Sequence, residues 1–134
     1  MPKVGVFAGI VDNMNRILLV KINYGSRNWT LPGGHLENNE SPIEGVKREV
    51  FEETGYIIEP EHLVSVYSAP LKDDIVLLFK ARISGKNNWK PNEEITDINF
   101  FEKGNLPVQI HPWNIKRIND IYEGKVSYID IFTD

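Results

Sequence analysis

Cysteine is missing from this chain, and histidine is scarce, at three in 134 residues. The first absence excludes a disulfide framework, a catalytic thiol and a thiolate zinc site. The second leaves little material for an imidazole metal centre. His35, His62 and His111 do not pair at metal-ligand spacing, and each reads as structural or exposed, with His35 beside the glycine pair. Long apolar runs are also lacking. Val4 to Val11 is apolar, but it is too short to span a bilayer and has no cleavage-like site after it. A cytoplasmic location with no membrane partner is expected. Basic residues are not in excess either. Fifteen Lys and Arg face nineteen Asp and Glu, for a net charge of −4, which argues against a nucleic-acid partner. No internal repeat, low-complexity tract or long linker divides the chain, so residues 1–134 are expected to form one domain, as a monomer or homodimer.

What is present is concentrated between Gly33 and Tyr56, GGHLENNESPIEGVKREVFEETGY. Ser41 followed by Pro42 is a helix start, a hydroxyl residue at the N-cap and proline where its missing N–H costs nothing. Glu44 completes a capping box, and Gly55 is the expected stop after Thr54. At 100° per residue Ile43, Val46 and Val50 share the side that should pack on a sheet. Glu49, Glu52 and Glu53 share an adjacent side, because positions three and four apart are neighbours.

That acidic side repels itself by a few tenths of a kcal/mol per exposed pair, roughly. One reading is a solvated surface. The other is a site for a hard divalent cation, Mg²⁺ or Mn²⁺, which carboxylate oxygens suit. Gly45 costs about 1 kcal/mol of helix propensity against alanine. It either leaves room for a ligand or meets a packing requirement.

The spacing decides between surface and site. Gly34, five residues, Glu40, seven residues, then Arg48, Glu49, Val50, Glu52, Glu53, Gly55 and Tyr56 resembles the Nudix box of the Nudix hydrolase family at every fixed position. Seven identities at background frequencies of about 7% arise by chance on the order of once in a million chains. The lead-in Trp29-Thr30-Leu31-Pro32-Gly33-Gly34 looks like the family's as well. Two departures are Tyr56, where an aliphatic residue is more usual, and Gly45, where alanine is common.

The resemblance covers nearly the whole chain and implies an α/β fold, an α/β/α sandwich with a mixed central sheet. It implies hydrolysis of a phosphoanhydride in a nucleoside diphosphate linked to another group, with Mg²⁺ or Mn²⁺ as cofactor and a small nucleotide as partner. It also implies roles. Glu52 and Glu53 ligate metal, and the Gly33 carbonyl is a further candidate ligand. Glu49 is a ligand or accepts a proton from the attacking water, and Glu53 is part of the catalytic set. Glu94, just before an apolar strand, is a further ligand, the base, or part of a solvated loop. Glu40 and Arg48 form an ion pair that orients the helix. Gly34 lies against the substrate. The alternative is a non-catalytic nucleotide-sensing Nudix domain, although such domains commonly lose box glutamates and this chain keeps them.

The flanking segments read as a platform. Lys3 to Val11 and Arg16 to Lys21 are strands joined as a hairpin by the turn at Asp12 to Asn15. Asn23 to Asn28 is a loop in which Arg27 is either an ordinary turn residue or a phosphate contact. Ile57 to Pro60 reads as a connection, His62 to Ser68 and Ile75 to Ile83 as strands, and Ser84 to Asn92 as turn-rich. Pro112 to Tyr122 is a last helix with Ile115, Ile118 and Ile121 or Tyr122 inward. A tail or edge strand follows Gly124. Trp29 and Trp113 read as core and Trp89 as a loop contact, and any of them could stack a base. Candidate substrates are ADP-ribose or another nucleotide sugar, a noncanonical nucleoside triphosphate, and a dinucleoside polyphosphate, the first two favoured by the small chain.

If clustered negative charge strains the helix, Glu52→Gln should melt no lower than wild type without metal. A marked fall in its metal-free thermal midpoint would count against that.

Overall fold

The computed structural model describes residues 2–133. Its centre is a five-stranded mixed sheet in the order β4-β1-β6-β5-β8. The strands are β1 (Lys3–Ile10), β4 (Gly33–His35), β5 (Tyr56–Ala69), β6 (Asp74–Lys86) and β8 (Tyr128–Ile131). β1 runs parallel to β6 and antiparallel to β4, while β5 runs antiparallel to β6 and parallel to β8. A second, antiparallel sheet of three strands places β2 (Arg16–Ile22) between β3 (Trp29–Thr30) and β7 (Ile95–Glu102). Helices α1 (Pro42–Thr54) and α2 (Pro112–Tyr122) cover opposite faces of the central sheet.

Strand alternation supplies the two cores. Val6, Ala8 and Ile10 of β1 and Phe79 and Ala81 of β6 turn toward Val46 and Val50 of α1. Val76 and Leu78 of β6, with Val64 and Tyr67 of β5, turn toward Ile118 and Ile121 of α2. β2 serves both, Leu18 on one side and Ile17 and Leu19 on the other. The expected sandwich with a mixed central sheet is therefore present.

Several local expectations change. β1 and β2 do not form a hairpin ladder; they belong to different sheets, and the turn between them is closed by the isolated bridge Val11–Ile17 and by the Asp12 N–H on the Arg16 carbonyl. β1 instead pairs with β6, far along the chain, through eight registered positions. The segment Ile57 to Pro60 is not a connection but the first part of β5, whose register shifts at three places, one of them just after Pro60. Bulges of this kind let a strand carry a residue that has no N–H to donate. β6 likewise runs on through Ser84 to Lys86. The tail after Gly124 contains an edge strand, β8.

Two isoleucines expected inside are not. Ile43 is 45% exposed, in the first turn of α1, one turn before Val46 meets the sheet. Ile115 is 37% exposed, because α2 turns Asn114, Arg117, Ile118, Asp120 and Ile121 inward. Asp120 is fully buried and holds this helix in place. It accepts from the Tyr67 hydroxyl at 2.6 Å, from Lys116 Nζ at 2.6 Å, and from Lys125 Nζ at 2.7 Å. Burial acts to raise its carboxyl, but these three donors outweigh it and hold the group below the ordinary aspartate value. Its stabilising contribution is thus present above the unfolded-state value and is lost as pH falls through the lower folded value. Asp120→Asn should lower stability by about 3 kcal/mol in urea titrations at neutral pH, with the deficit shrinking in acid. A loss no larger than that of the more exposed Asp130→Asn would contradict this.

Candidate active site

Ser41 caps α1 as expected, while Glu44 answers its hydroxyl and not its backbone N–H. Ser41 Oγ accepts from the Glu44 N–H at 3.1 Å and donates to Glu44 Oε1 at 2.8 Å. Gly55, at φ 75°, ends the helix with its N–H on the Phe51 carbonyl. With Val46 and Val50 seated on the sheet, Glu53 is carried under β4, where Oε1 accepts from the Gly33 N–H at 2.9 Å. The glycine pair makes this approach possible. A Cβ on Gly33 would collide with the Val6 carbonyl, and one on Gly34 would lie 2.6 Å from the Glu49 carboxylate. Gly45 has the packing role, since a Cβ there would strike Leu36 and press on Glu40.

Arg48 is the counter-ion of Glu40, Glu49 and Glu52. It grips Glu40 through two bonds, Nε to Oε2 at 2.6 Å and Nη2 to Oε1 at 3.0 Å, and its Nη1 reaches Glu49 at 2.9 Å and Glu52 at 3.2 Å. Its Nη2 also donates to the His35 carbonyl at 3.3 Å, tying α1 to β4. Hydrogen bonds from Arg48 and from the Glu37 backbone hold the Glu40 carboxyl down at about 2. Glu53 behaves oppositely. It is 8% exposed, and burial, together with the negative charge of Glu49, Glu94 and Glu52, pushes its carboxyl up to about 8 against the pull of the Gly33 N–H. Burial also raises Glu49, outweighing its bond to Arg48.

Glu53 forms part of the wall of a cleft of about 320 Å³ that runs from Gly33 and Gly34 to Asn114 and Arg117 on α2. Glu52 and Glu94 face a neighbouring depression of about 390 Å³. Glu94 is anchored by the Asn92 side chain, which accepts from the Glu94 N–H at 2.9 Å, and its carbonyl accepts from Asn23. The structure therefore gathers Gly33, Gly34, Glu40, Arg48, Glu49, Glu52 and Glu53 along one side of α1, with Glu94 close enough for its charge to act on Glu53. Arg27 stands in the exposed loop at φ 55°; its neighbours Tyr24, Ser26 and Asn28 are the loop residues that line the cleft.

Three cleft residues were not singled out from the sequence. Tyr24 lies close enough that, after burial, Glu53, Glu94 and Glu49 raise its hydroxyl. Asn114 and Arg117 lie on α2 at positions i and i+3, a spacing that already put them on one helix face. Polar helix residues ordinarily face water, so their composition gives no sign of this placement.

The donor set suits a hard divalent cation: carboxylate oxygens, one of them buried among like charges and short of compensation, beside a strand backbone. Among the described residues no three acidic or imidazole side chains are already closed around a point. Glu49 and Glu52 are instead held by Arg48, which supplies the positive charge in its place.

The NUDIX domain family model matches residues 1–120. A Bacillus subtilis protein carrying the provisional name 8-oxo-dGTP diphosphatase is 32% identical over 120 residues, 90% of this chain and 80% of that protein. The ADP-ribose pyrophosphatase of Methanocaldococcus jannaschii is 36% identical over 105 residues, 74% of this chain and 62% of its own length. Among solved structures, a NUDIX hydrolase from Nitrosomonas europaea superposes with a TM-score of 0.83 at 27% identity, covering 99% of this chain and 80% of that one. A UDP-X diphosphatase superposes at 0.80 with 29% identity, over 97% and 68%. The chain belongs to the Nudix hydrolase family.

Because Glu53 keeps its proton to about pH 8 when folded but releases it near pH 4 when unfolded, its contribution is complete below the unfolded value and is lost as pH rises through the folded one. The metal-free thermal midpoint should fall between pH 5 and pH 8.5, Glu53→Gln should flatten that slope, and Mg²⁺ should raise the midpoint more at pH 8 than at pH 6. A slope unchanged by the substitution would remove Glu53 from this account.

Proposed function

We propose that this Nudix enzyme is a Mg²⁺- or Mn²⁺-dependent pyrophosphohydrolase acting on a nucleoside diphosphate linked to another group, in the class of nucleotide sugars and noncanonical nucleoside triphosphates. The observation that carries the reading is the burial of Glu53 at the cleft wall beside Glu49, Glu52 and Glu94. A polyanionic substrate would be repelled by four carboxylates, so the arrangement makes chemical sense only with positive charge supplied there. A bound divalent ion supplies that charge, polarises the phosphoryl oxygens and makes water more acidic.

The chain's own residues do the rest in this reading. Glu52 and Glu53 hold the ion, with the Gly33 carbonyl available as a further oxygen. Glu49 or Glu94 accepts the proton of the attacking water. Glu40 and Arg48 keep α1 and β4 in fixed relation through the two-pronged bond between them. Gly34 lets the substrate come close to the strand backbone, and Arg27, in the loop above, contacts phosphate. Residues 1–134 act as one domain, in the cytoplasm, as a monomer or homodimer; among the described residues no helix is long and apolar enough to cross a membrane. The names carried by the relatives, with an oxidised guanine nucleotide, ADP-ribose and UDP-X among them, support the substrate class.

Release of the nucleoside monophosphate from ADP-ribose, UDP-sugars and inosine and 8-oxo-guanine triphosphates, followed by chromatography with Mg²⁺ present, tests this. Wild type should turn over at least one, and Glu53→Gln should lose about 100-fold or more in kcat. Whichever of Glu49→Gln and Glu94→Gln loses about 100- to 10,000-fold in kcat marks the base. Binding of nucleotides without turnover of any would favour a sensing domain instead.

A further inference from the structure

Glu94 stands in a segment that ought to swing away from the acidic cluster. Residues 90–94 are exposed, yet Glu93 and Glu94 share a depression with Glu52, and the charge of Glu94 acts on Glu53. Like charges repel, and an exposed segment has little apolar burial to resist them. The Glu94 carboxylate has no partner to fix it either: among the described residues it makes no ion pair and no hydrogen bond. What holds Glu94 is its backbone. β7 buckles just beyond it, because Lys21 pairs with Asp97 but Ile22 with Ile95, leaving Thr96 as the extra residue of a bulge. Asn92 Oδ1 accepts the Glu94 N–H at 2.9 Å and the Ile95 N–H at 2.8 Å, while the Asn92 N–H donates to the Ile95 carbonyl at 2.9 Å. From the other side Asn23 donates its N–H to the Glu94 carbonyl at 2.8 Å and its Nδ2 to the Glu93 carbonyl at 3.2 Å.

The start of the same segment is tied to α1. The Asn87 N–H donates to the Gly55 carbonyl at 2.8 Å, and a Cβ on Gly55 would lie 2.9 Å from that of Trp89. Gly55 directly follows the helix that carries Glu52 and Glu53, and Asn23 directly precedes Tyr24, which lines the main cleft. The segment is thus fastened to the acidic helix at one end and to the cleft loop at the other. A turn that only joined β6 to β7 would need neither the bulge nor two asparagines to keep an acid among acids. We propose that Asn92 is a positioning residue for the hydrolytic reaction: with Asn23 it clasps the Glu94 backbone and keeps that carboxylate beside the α1 cluster with both oxygens free. A short side-chain oxygen that answers two successive N–H groups suits this, and asparagine and aspartate supply it. The proposal deepens the hydrolase reading and rests on it for one point, that Glu94 serves the reaction.

The probe is whichever of ADP-ribose, UDP-glucose, inosine triphosphate and 8-oxo-guanine triphosphate wild type turns over fastest with Mg²⁺. Asn92→Ala should lose about 10- to 100-fold in kcat with KM nearly unchanged, the scale of a misplaced reacting group. In a Glu94→Gln background the same change should cost less than about threefold, because no carboxylate remains to be placed. Asn92→Asp keeps the accepting oxygen and should recover most of the loss. Without metal, amide exchange at Glu94 and Ile95 should quicken in Asn92→Ala but not in Asn92→Asp, with the thermal midpoint close to wild type. The proposal is overturned by a kcat for Asn92→Ala within about threefold of wild type, or by a full loss that persists in the Glu94→Gln background. A loss that Asn92→Asp leaves unrecovered, a loss confined to KM, unchanged amide exchange, or a midpoint well below wild type overturns it equally. If wild type turns the nucleotide over and Glu94→Gln does so as fast, the proposal fails and the hydrolase reading stands. Turnover of no nucleotide by wild type ends both.

Discussion

The Glu53 carboxylate is kept out of water, next to other carboxylates, with the Gly33 N–H as its donor. That is an unfavourable place for a charge, and the surrounding structure is what enforces it. Val46 and Val50 commit one face of α1 to the sheet, and residues three and four further along must then lie beneath β4. The strand can accept them because its two glycines carry no side chain where the Val6 carbonyl and the Glu49 carboxylate already stand. Apolar burial thus holds an electrostatically poor arrangement in place.

Arg48 balances the remainder. Its guanidinium is bonded to Glu40, Glu49 and Glu52 at once and touches the β4 backbone through the His35 carbonyl. Planarity and five donors allow one side chain to serve this many partners, which an ammonium could not do in the same geometry. Glu40 is thereby held as a firm carboxylate, whereas Glu53, beyond the reach of that charge, is left inclined to keep its proton. The same family of side chain therefore has opposite electrostatic character within a single turn-and-helix unit, set by who donates to it.

The second helix carries a buried acid and a buried cation. Asp120 is buried and fully answered by Tyr67, Lys116 and Lys125. Arg117, three residues earlier, is buried among the rings of Phe7, Tyr67 and Phe132, with the Asp74 carboxylate acting on it and no hydrogen-bond acceptor at its Nε. Asp120 holds α2 against β5, and α2 in turn presents Asn114 and Arg117 to the cleft that begins at Gly33. The cleft thus has an acidic end from α1 and a donor end from α2, on elements that the chain separates by more than fifty residues.

The helices were legible because their signals are local. Ser41, Pro42 and Gly55 mark the limits of α1, Pro112 marks the start of α2, and the spacing of Glu49, Glu52 and Glu53 follows from helix geometry alone. The acidic end of the site was legible for the same reason. Strand partnership was not: β1 chose β6 over β2, and β5 ran through Pro60 on shifted register, because pairing is decided by which faces can be buried together. Nor was the donor end of the cleft. Asn114 and Arg117 resemble any polar positions on a surface helix until Ile118 and Ile121 seat that face on the sheet and the rings of Phe7, Tyr67 and Phe132 close around it. By itself the sequence determined the family, the helix limits and the clustered carboxylates of α1. Tertiary structure alone decided what faces them, since contacts between distant segments come from packing and leave no periodic trace in the chain.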